Sequence, residues 1–262
     1  MIAKIALRAV ALGYLSLLLL LPVGLLVWRT FEHGMGPVWQ ALTAPEALHA
    51  LQLSVVIAAI AVPVNTAFGV LCALMLVRHE FRGKALINSF LELPLAISPV
   101  VVGLALVLVY GQFGWFGAWF QDRNVQIIFA LPGMVLATMF ISLPFVAREV
   151  IPVLREIGTE QEQAARTLGA SGWQSFWRIT LPSIRGGIGY GVVLATARAL
   201  GEFGAVSVVS GHLVGQTQTL PLYVEDRFQA FDETGAYAAS LVLAALAVIT
   251  LLAMSALKPR EY

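Results

Sequence analysis

The sequence predicts an all-α membrane protein with six transmembrane helices and both termini in the cytoplasm. Hydrophobic residues make up 59% of the 262 residues, charged residues make up only 12%, and the mean hydropathy is +0.84. A soluble domain has about 25% charged residues, so this chain has too little polar surface to fold in water. Its apolar residues fall in runs of about 20, the length that a helix needs to cross the hydrocarbon core.

Six windows have that length and composition, and they span residues 9–28, 51–77, 85–110, 127–147, 183–209 and 235–257. The first follows two basic residues, as the apolar core of a signal peptide would. Its apolar run is longer than that of a typical signal peptide, and no small-x-small cleavage site follows it, so it is predicted to be a retained helix. In the third window, Pro99 is expected to kink the helix.

Basic residues predict the orientation, because Lys and Arg accumulate in cytoplasmic loops. With the N-terminus inside, 12 of the 16 Lys and Arg residues lie on the cytoplasmic side, and the outer loops hold only Arg29, Arg123 and Arg227. The opposite orientation would reverse this bias. We therefore expect residues 1–262 to form a single transmembrane domain with both ends in the cytoplasm.

Several functional classes are disfavoured by the residues. The net charge of +1 argues against nucleic acid as a partner, and the single cysteine, Cys72, excludes a disulfide framework and a cysteine metal site. The four histidines show no metal-ligand spacing, and no G-x4-G-K-[ST] motif is present to cradle a nucleotide. No metal and no cofactor are predicted. An enzyme acting within the membrane and a passive channel remain as alternatives to a transport subunit.

A polar segment, "TEQEQAARTLGASGWQSFWRITLP" at residues 159–182, interrupts the apolar chain between the fourth and fifth windows and is predicted to be cytoplasmic. The Thr-x-x-Glu at 159–162 and the Ser-x-x-Gln at 171–174 both match capping boxes. Gly169 suits the left-handed residue that ends a helix, and Pro182 is expected to close the second helix and begin span five. Two short capped helices joined by a glycine hinge are therefore predicted.

The second of these helices carries Trp173, Phe176 and Trp177 on one face. Three bulky aromatic side chains on a cytoplasmic loop need something to bury them. They could lie in the inner headgroup layer of the membrane, or they could contact a soluble partner. Helix physics alone leaves both interpretations open.

The same segment resembles the EAA loop of ABC importer permeases, E-A-A-x3-G-x9-I-x-L-P. The residues on motif positions are Ala164, Ala165, Gly169, Ile179, Leu181 and Pro182. Gln163 stands where the family usually has Glu, which leaves the fold assignment intact but removes the carboxylate of the family's salt bridge. The resemblance implies that this loop, including Trp173, is a coupling helix that docks in a groove on an ATPase subunit.

Residues 97–115, 126–154 and 197–225 resemble the sulfate/thiosulfate importers of this superfamily, closest to the W-type of the two permease subunits. Molybdate permeases share "GEFGA" and the loop, so a molybdate or tungstate importer is the alternative. The resemblance implies a type I importer fold in the bacterial inner membrane and inward transport by alternating access. It implies as partners two copies of an ATPase, a second and different permease chain, and a periplasmic sulfate-binding protein. Which oxyanion is preferred stays open.

Arg198 and Glu202 are four residues apart within span five and so lie on one helix face. Charges within a membrane are costly and usually mark function or pairing. The favoured interpretation is a buried ion pair that fixes the packing of the span. In the alternative, Arg198 lies on the translocation path and lowers the cost of passing a dianion.

Two further features concern contacts with partners. The small residues of "GGIGYG" at 186–191 and "GEFGA" at 201–205 permit close helix approach in lipid, and they predict a seam between two permeases. Residues 211–234 are too polar to span a membrane. We expect them to fold back on the outer side as a loop with a short helix that offers a surface to the binding protein.

Overall fold

The computed structural model describes residues 2–257, and within them the chain is entirely helices and turns. Four helices are long and apolar enough to cross a membrane, namely Val10–Phe31, Pro45–Arg78, Leu131–Glu156 and Glu233–Thr250. Two bent helix pairs raise the number of crossings to as many as six if each pair is counted as one. All six predicted windows fall on these elements. Lys258 and Arg260, which enter the prediction of orientation, lie outside the described residues.

The first crossing consists of α1 (Ile2–Leu15), a π-helical turn (Ser16–Leu20) and α2 (Leu21–Phe31). The other helices, in chain order, are α3 (Met35–Thr43), α4 (Pro45–Arg78), α5 (Lys84–Ala96), α6 (Pro99–Tyr110), α7 (Gly117–Gln121), α8 (Leu131–Glu156), α9 (Glu160–Thr167), α10 (Gly172–Ser175), α11 (Leu181–Leu200), α12 (Gly204–Ser210), α13 (Leu220–Gln229) and α14 (Glu233–Leu257). Helix α4 begins before its predicted window and α8 ends well after its own. Hydropathy marks only the apolar part of a helix, and the helix continues beyond it.

Proline is accommodated twice by a widened helical turn. A π turn at Ser16–Leu20 precedes Pro22, and another at Phe176–Thr180 precedes Pro182. In the second turn, the Leu181 N–H donates to the carbonyl of Phe176, five residues earlier. A proline ring clashes with the carbonyl four residues before it in a regular helix, and the wider turn relieves that clash. The prediction that Pro182 closes a helix is therefore wrong, because the helix runs from Gly172 to Leu200 without a break.

Helix α8 lies at the centre of the bundle, with α4 and α11 packed along it. Glycine permits both contacts. A Cβ added to Gly69 of α4 would lie 2.9 Å from Val146 Cβ, and one added to Gly191 of α11 would lie 2.7 Å from Val146 Cα. A Cβ on Gly187 would lie 3.0 Å from the carbonyl oxygen of Glu149. The predicted permease–permease seam is thus wrong for Gly187 and Gly191, because they pack within their own chain.

Two of the candidate crossings are bent pairs of helices. Helices α5 and α6 meet at 109°, and the helix containing α11 meets α12 at 51°. Pro99 is the first residue of α6, and it forces Ser98 into an extended conformation, with φ −59° and ψ 133°. The expected kink at Pro99 is therefore a complete break.

The second halves of the two broken crossings pack against each other. A Cβ on Gly103 of α6 would lie 2.7 Å from Val208 Cβ, and one on Gly204 of α12 would lie 2.9 Å from Pro99 Cβ. Each half-helix thus contributes a glycine that lets the other approach. Gly204, which was also assigned to the permease–permease seam, serves this contact within the chain.

Apolar side chains cover much of the outside of the bundle. None of the most apolar 18-residue stretch of Val10–Phe31 is buried within the chain, and leucines along it such as Leu17 and Leu20 are more than half exposed. A soluble protein does not expose an apolar surface of this extent. Lipid or a second membrane protein must cover it.

The orientation can be tested by thiol labelling. We expect Asp122→Cys to react with a membrane-impermeant maleimide added to spheroplasts, and Arg82→Cys to react only after the membrane is opened. Both positions are exposed, and the natural Cys72 is 7% exposed and gives little background. Labelling of Arg82→Cys alone from outside would overturn the orientation with both ends in the cytoplasm.

Candidate functional site

The segment of residues 159–182, here termed the EAA loop, begins with helix α9, which lies between two left-handed glycines. Gly169 has a φ of +85°, as its place after the first short helix predicts, and Gly158 before α9 has a φ of +62°. A Cβ at either position would meet nothing within 4 Å. Glycine is therefore required by the backbone conformation and not by lack of space. Helix α9 is held between these two residues.

Only one of the two predicted capping boxes forms. The Ser171 hydroxyl accepts a hydrogen bond from the Gln174 N–H at 3.2 Å, and the Ser171 N–H donates to the Gln174 side chain at 2.9 Å. The box predicted at Thr159 is wrong, because the Thr159 hydroxyl instead accepts from the Gln163 amide at 3.0 Å. The Glu162 carboxylate, which would complete that box, is engaged in an ion pair.

The EAA loop exposes several large apolar and aromatic side chains among its polar ones. The ring of Trp173 lies 5.4 Å from that of Trp177 and 6.1 Å from that of Phe176. The side chains of Trp173 and Leu168 are 70% and 88% exposed. Of the other residues on predicted coupling positions, those exposed are Gln163, Ala164, Gly169 and Pro182, and those half-buried are Ala165, Ile179 and Leu181.

Glu162 connects this loop to the ends of three other elements. One of its carboxylate oxygens, Oε1, accepts hydrogen bonds from Arg78 Nε at 3.2 Å, from Arg78 Nη2 at 3.0 Å and from the Thr180 hydroxyl at 2.9 Å. Arg78 Nη1 also donates to the carbonyl of Leu154 in α8 at 3.1 Å. The side chains of Arg78 and Glu162 are only 12% and 13% exposed. This network could not be predicted from the sequence, because 84 residues separate its two charged members.

Arg198 and Glu202 form an ion pair at the break between α11 and α12. Arg198 Nη1 lies 2.7 Å from Glu202 Oε2, and their side chains are 32% and 1% exposed. The other carboxylate oxygen accepts from the Ala205 N–H at 2.9 Å, which is in the first turn of α12. The two residues were expected on one continuous helix. Glu202 instead lies past the end of α11, where its carboxylate stabilises the start of the next helix.

The family described as the inner-membrane component of binding-protein-dependent transport systems matches residues 65–261. The chain belongs to this family. Membership makes it a permease subunit, a transport protein and not an enzyme, which lies in the inner membrane and crosses it several times. A permease of an ABC importer implies an ATPase, a second permease and a periplasmic binding protein as partners.

Several characterised proteins are similar to this permease over nearly its whole length. The sulfate transport system permease protein CysW of Synechocystis sp. is 54% identical over 98% of the permease and 93% of the relative. CysW of Escherichia coli is 48% identical over 94% and 84%, and CysT of the same organism is 35% identical over 95% and 90%. A chain of a crystallised bacterial alginate ABC transporter matches with a TM-score of 0.80 at 17% identity, covering 97% of the permease and 92% of that chain. This last likeness supports the type I importer fold.

Residues 211–234 fold back against the bundle around helix α13, and their place on the outer side stays a prediction. The Leu220 N–H at the start of this helix donates to the Ser54 hydroxyl of α4 at 2.8 Å. Arg227 pairs with Glu46 and lies over the ring of Tyr223, 4.8 Å from its centroid. Burial raises the pKa of the Tyr223 hydroxyl, although the Arg227 guanidinium acts in the opposite direction. One face of α13 is thus packed into the bundle, and its other face is exposed.

The described residues of the permease include no group of three or more His, Cys, Asp or Glu side chains placed to hold a metal ion. The glycines of "GQFGWFG" at 111–117 form tight turns. A Cβ on Gly117 would lie 2.3 Å from the carbonyl oxygen of Gln112, so this stretch is a close-packed turn without the lysine of a nucleotide-binding loop.

Proposed function

We propose that this chain is the W-type permease subunit of an ATP-driven importer that moves sulfate or thiosulfate inwards by alternating access. The observation that carries the proposal is the 54% and 48% identity to proteins named sulfate transport system permease protein CysW. Because these alignments span nearly the whole chain, they include the loops as well as the helices. The substrate of the relatives is therefore the first to test.

A different chain is proposed as the second permease. Relatives named CysW are 48–54% identical to this chain, and relatives named CysT are 35–38% identical. Escherichia coli has one of each, which supports a pair of unlike permeases. The exposed apolar faces of the bundle supply the surface for such a pair and for lipid.

The EAA loop is proposed to dock on the ATPase subunit. Trp173, Trp177 and Leu168 form an exposed apolar surface that would gain free energy on burial. Helix α10 continues through the π turn into α11, so a displacement of the loop reaches span five along one helix. In the proposed cycle, a sulfate-binding protein delivers the anion to an outward-open cavity between the permeases, and closure of the ATPase dimer turns that cavity inward.

For Arg198 and Glu202 we infer a structural role, as an ion pair, and we favour it over a role on the translocation path. Both carboxylate oxygens of Glu202 have partners, one in Arg198 and one in the Ala205 N–H. Arg198 is 32% exposed, so part of its guanidinium is open to another ligand. A position on the translocation path of the anion is therefore the second candidate role for Arg198.

Uptake of radiolabelled sulfate tests the proposed function. We expect membrane vesicles that contain this chain with its ATPase, its second permease and its binding protein to accumulate sulfate only with ATP. Unlabelled thiosulfate and molybdate are added as competitors, and vesicles without this chain are the control. Uptake of molybdate without uptake of sulfate would move the assignment to the molybdate and tungstate importers. Uptake that needs neither ATP nor the binding protein would instead indicate a passive channel.

A further inference from the structure

The position of α9 is not fixed by apolar packing. None of its residues is buried, and left-handed glycines lie two residues before its start and two residues after its end, at Gly158 and Gly169. A cavity of about 530 Å³ lies between α9, the inner end of α4 and the start of the second short helix. Its lining includes Leu74, Arg78, Gln163, Arg166, Ser175 and Phe176. A helix that lies against an open cavity and between two glycine hinges needs a specific attachment to keep its place.

The Glu162 carboxylate provides an attachment at this cavity. Its three hydrogen bonds come from the end of α4 and from the π turn that leads into α11. The Arg78 guanidinium, through its bond to the Leu154 carbonyl, also holds the inner end of α8. Since both side chains are almost 90% shielded from water, these charge-assisted hydrogen bonds are screened less than those of an exposed pair. One ion pair thus joins α9 to three helices of the bundle.

We propose that Arg78, Glu162 and Thr180 form a clamp that fixes α9 to the inner ends of α4, α8 and α11, so that displacement of the EAA loop by the ATPase moves these helices. The proposal rests on the proposed coupling role of the loop. Glu162 is then the positioning residue. Gln163, at the position where the family usually has Glu, bonds locally to Thr159. Without the clamp, α9 turns on its two glycines and the movement of the ATPase is lost there.

The test measures sulfate imported per ATP hydrolysed by the complete transporter reconstituted in vesicles. We expect Glu162→Gln and Arg78→Gln to lower this ratio at least about fivefold, the lower end of typical coupling between sites. Thr180→Val should lower it less, because it removes one of three hydrogen bonds. The matched control is Glu160→Gln, on the same helix, since Glu160 is exposed and has no ion pair among the described residues.

A double-mutant cycle shows whether Arg78 and Glu162 act through each other, as the clamp requires, or affect coupling independently. If Arg78 and Glu162 act through each other, Arg78→Gln with Glu162→Gln should be no worse than either single variant. Restored coupling in Arg78→Glu with Glu162→Arg would add support. A merely structural contribution would lower the amount of assembled transporter and leave the ratio unchanged, so ATPase co-purification is measured for every variant.

An unchanged ratio in Glu162→Gln, or an equal loss in Glu160→Gln, would overturn the clamp. Trp173→Ala, assayed in parallel, tests the docking role on which the clamp depends. Normal assembly and transport in Trp173→Ala would refute the dock. Loss of assembly in Trp173→Ala together with an unchanged ratio in Glu162→Gln would refute the clamp alone.

Discussion

Gly169→Pro is expected to abolish ATP-driven sulfate uptake while the protein still inserts in the membrane. Proline fixes φ near −65°, whereas Gly169 has a φ of +85°. Proline also removes the N–H that Gly169 donates to the Arg166 carbonyl at 3.0 Å. The residues between α9 and α10 would have to rearrange, which would displace the surface around Trp173. Uptake of labelled sulfate and co-purification of the ATPase measure the two consequences.

Two variants show whether the effect comes from backbone conformation. Gly169→Ala retains the N–H and meets no neighbour within 4 Å, so only the left-handed conformation is penalised, by about 1–2 kcal/mol; partial activity is expected. Gly172→Ala adds the same methyl group three residues later, also into open space and at a glycine without positive φ, and should behave as wild type. If Gly169→Pro assembled with the ATPase and imported sulfate at the normal rate, the coupling role of residues 159–182 would be refuted.

Arg198→Ala is expected to reduce the amount of folded permease severely. It leaves the Glu202 carboxylate, 1% exposed, with the Ala205 N–H as its remaining partner. Breaking a buried ion pair in this way costs about 3–5 kcal/mol, and the partial exposure of Arg198 lowers the figure here. Glu202→Gln should be milder, because an amide oxygen can still accept from Ala205 and the unpaired Arg198 can reach water. Yield of folded protein after detergent extraction measures both.

The double variant Arg198→Ala with Glu202→Gln separates the two roles of Arg198. If pairing is the whole role, this protein should fold and transport sulfate at the normal rate, since no uncompensated charge remains. A protein that folds but transports slowly would place Arg198 on the translocation path. In that case Arg198→Lys, which keeps the positive charge, should retain part of the rate.

The positions of the helices follow from the sequence because lipid imposes a simple rule. Every backbone polar group must be satisfied within the crossing segment, so each long apolar run becomes helical, four windows as single long helices and two as bent pairs of helices. The conformation of Gly169 and the cap at Ser171 were also predictable, since each depends on residues within one turn.

Features that depend on distant residues were not predictable. The capping box at Thr159 is absent because the carboxylate that would complete it pairs with Arg78, in another helix. Pro182 was a local miss, because the π turn directly before it relieves the clash of its ring and the helix continues. Gly187 and Gly191 were assigned to a contact with a partner permease. Their spacing shows that one helix face has small residues, but it does not show which helix packs against that face. Residue type and spacing predict the local backbone conformation. Which partner a side chain binds, or which helix packs against a glycine, depends on tertiary contacts.

The break between α5 and α6 has a consequence for how the protein is made. With 13 and 12 residues, these helices are each about 20 Å long or shorter at 1.5 Å per residue. Neither reaches across a hydrocarbon core of about 30 Å, and the chain between them bends by 109°. A segment of this shape cannot rest in lipid by itself.

Its partner is synthesised much later. Helix α6 packs against α12 through Gly103 and Gly204, and α12 leaves the ribosome only after α8 and α11. During synthesis we expect the α5–α6 segment to be sheltered, by the insertion machinery or in a straighter provisional form, until α12 arrives. We therefore expect the bent conformation to be completed late in biogenesis, and a chain truncated before residue 204 would lack the α12 surface that packs against α6.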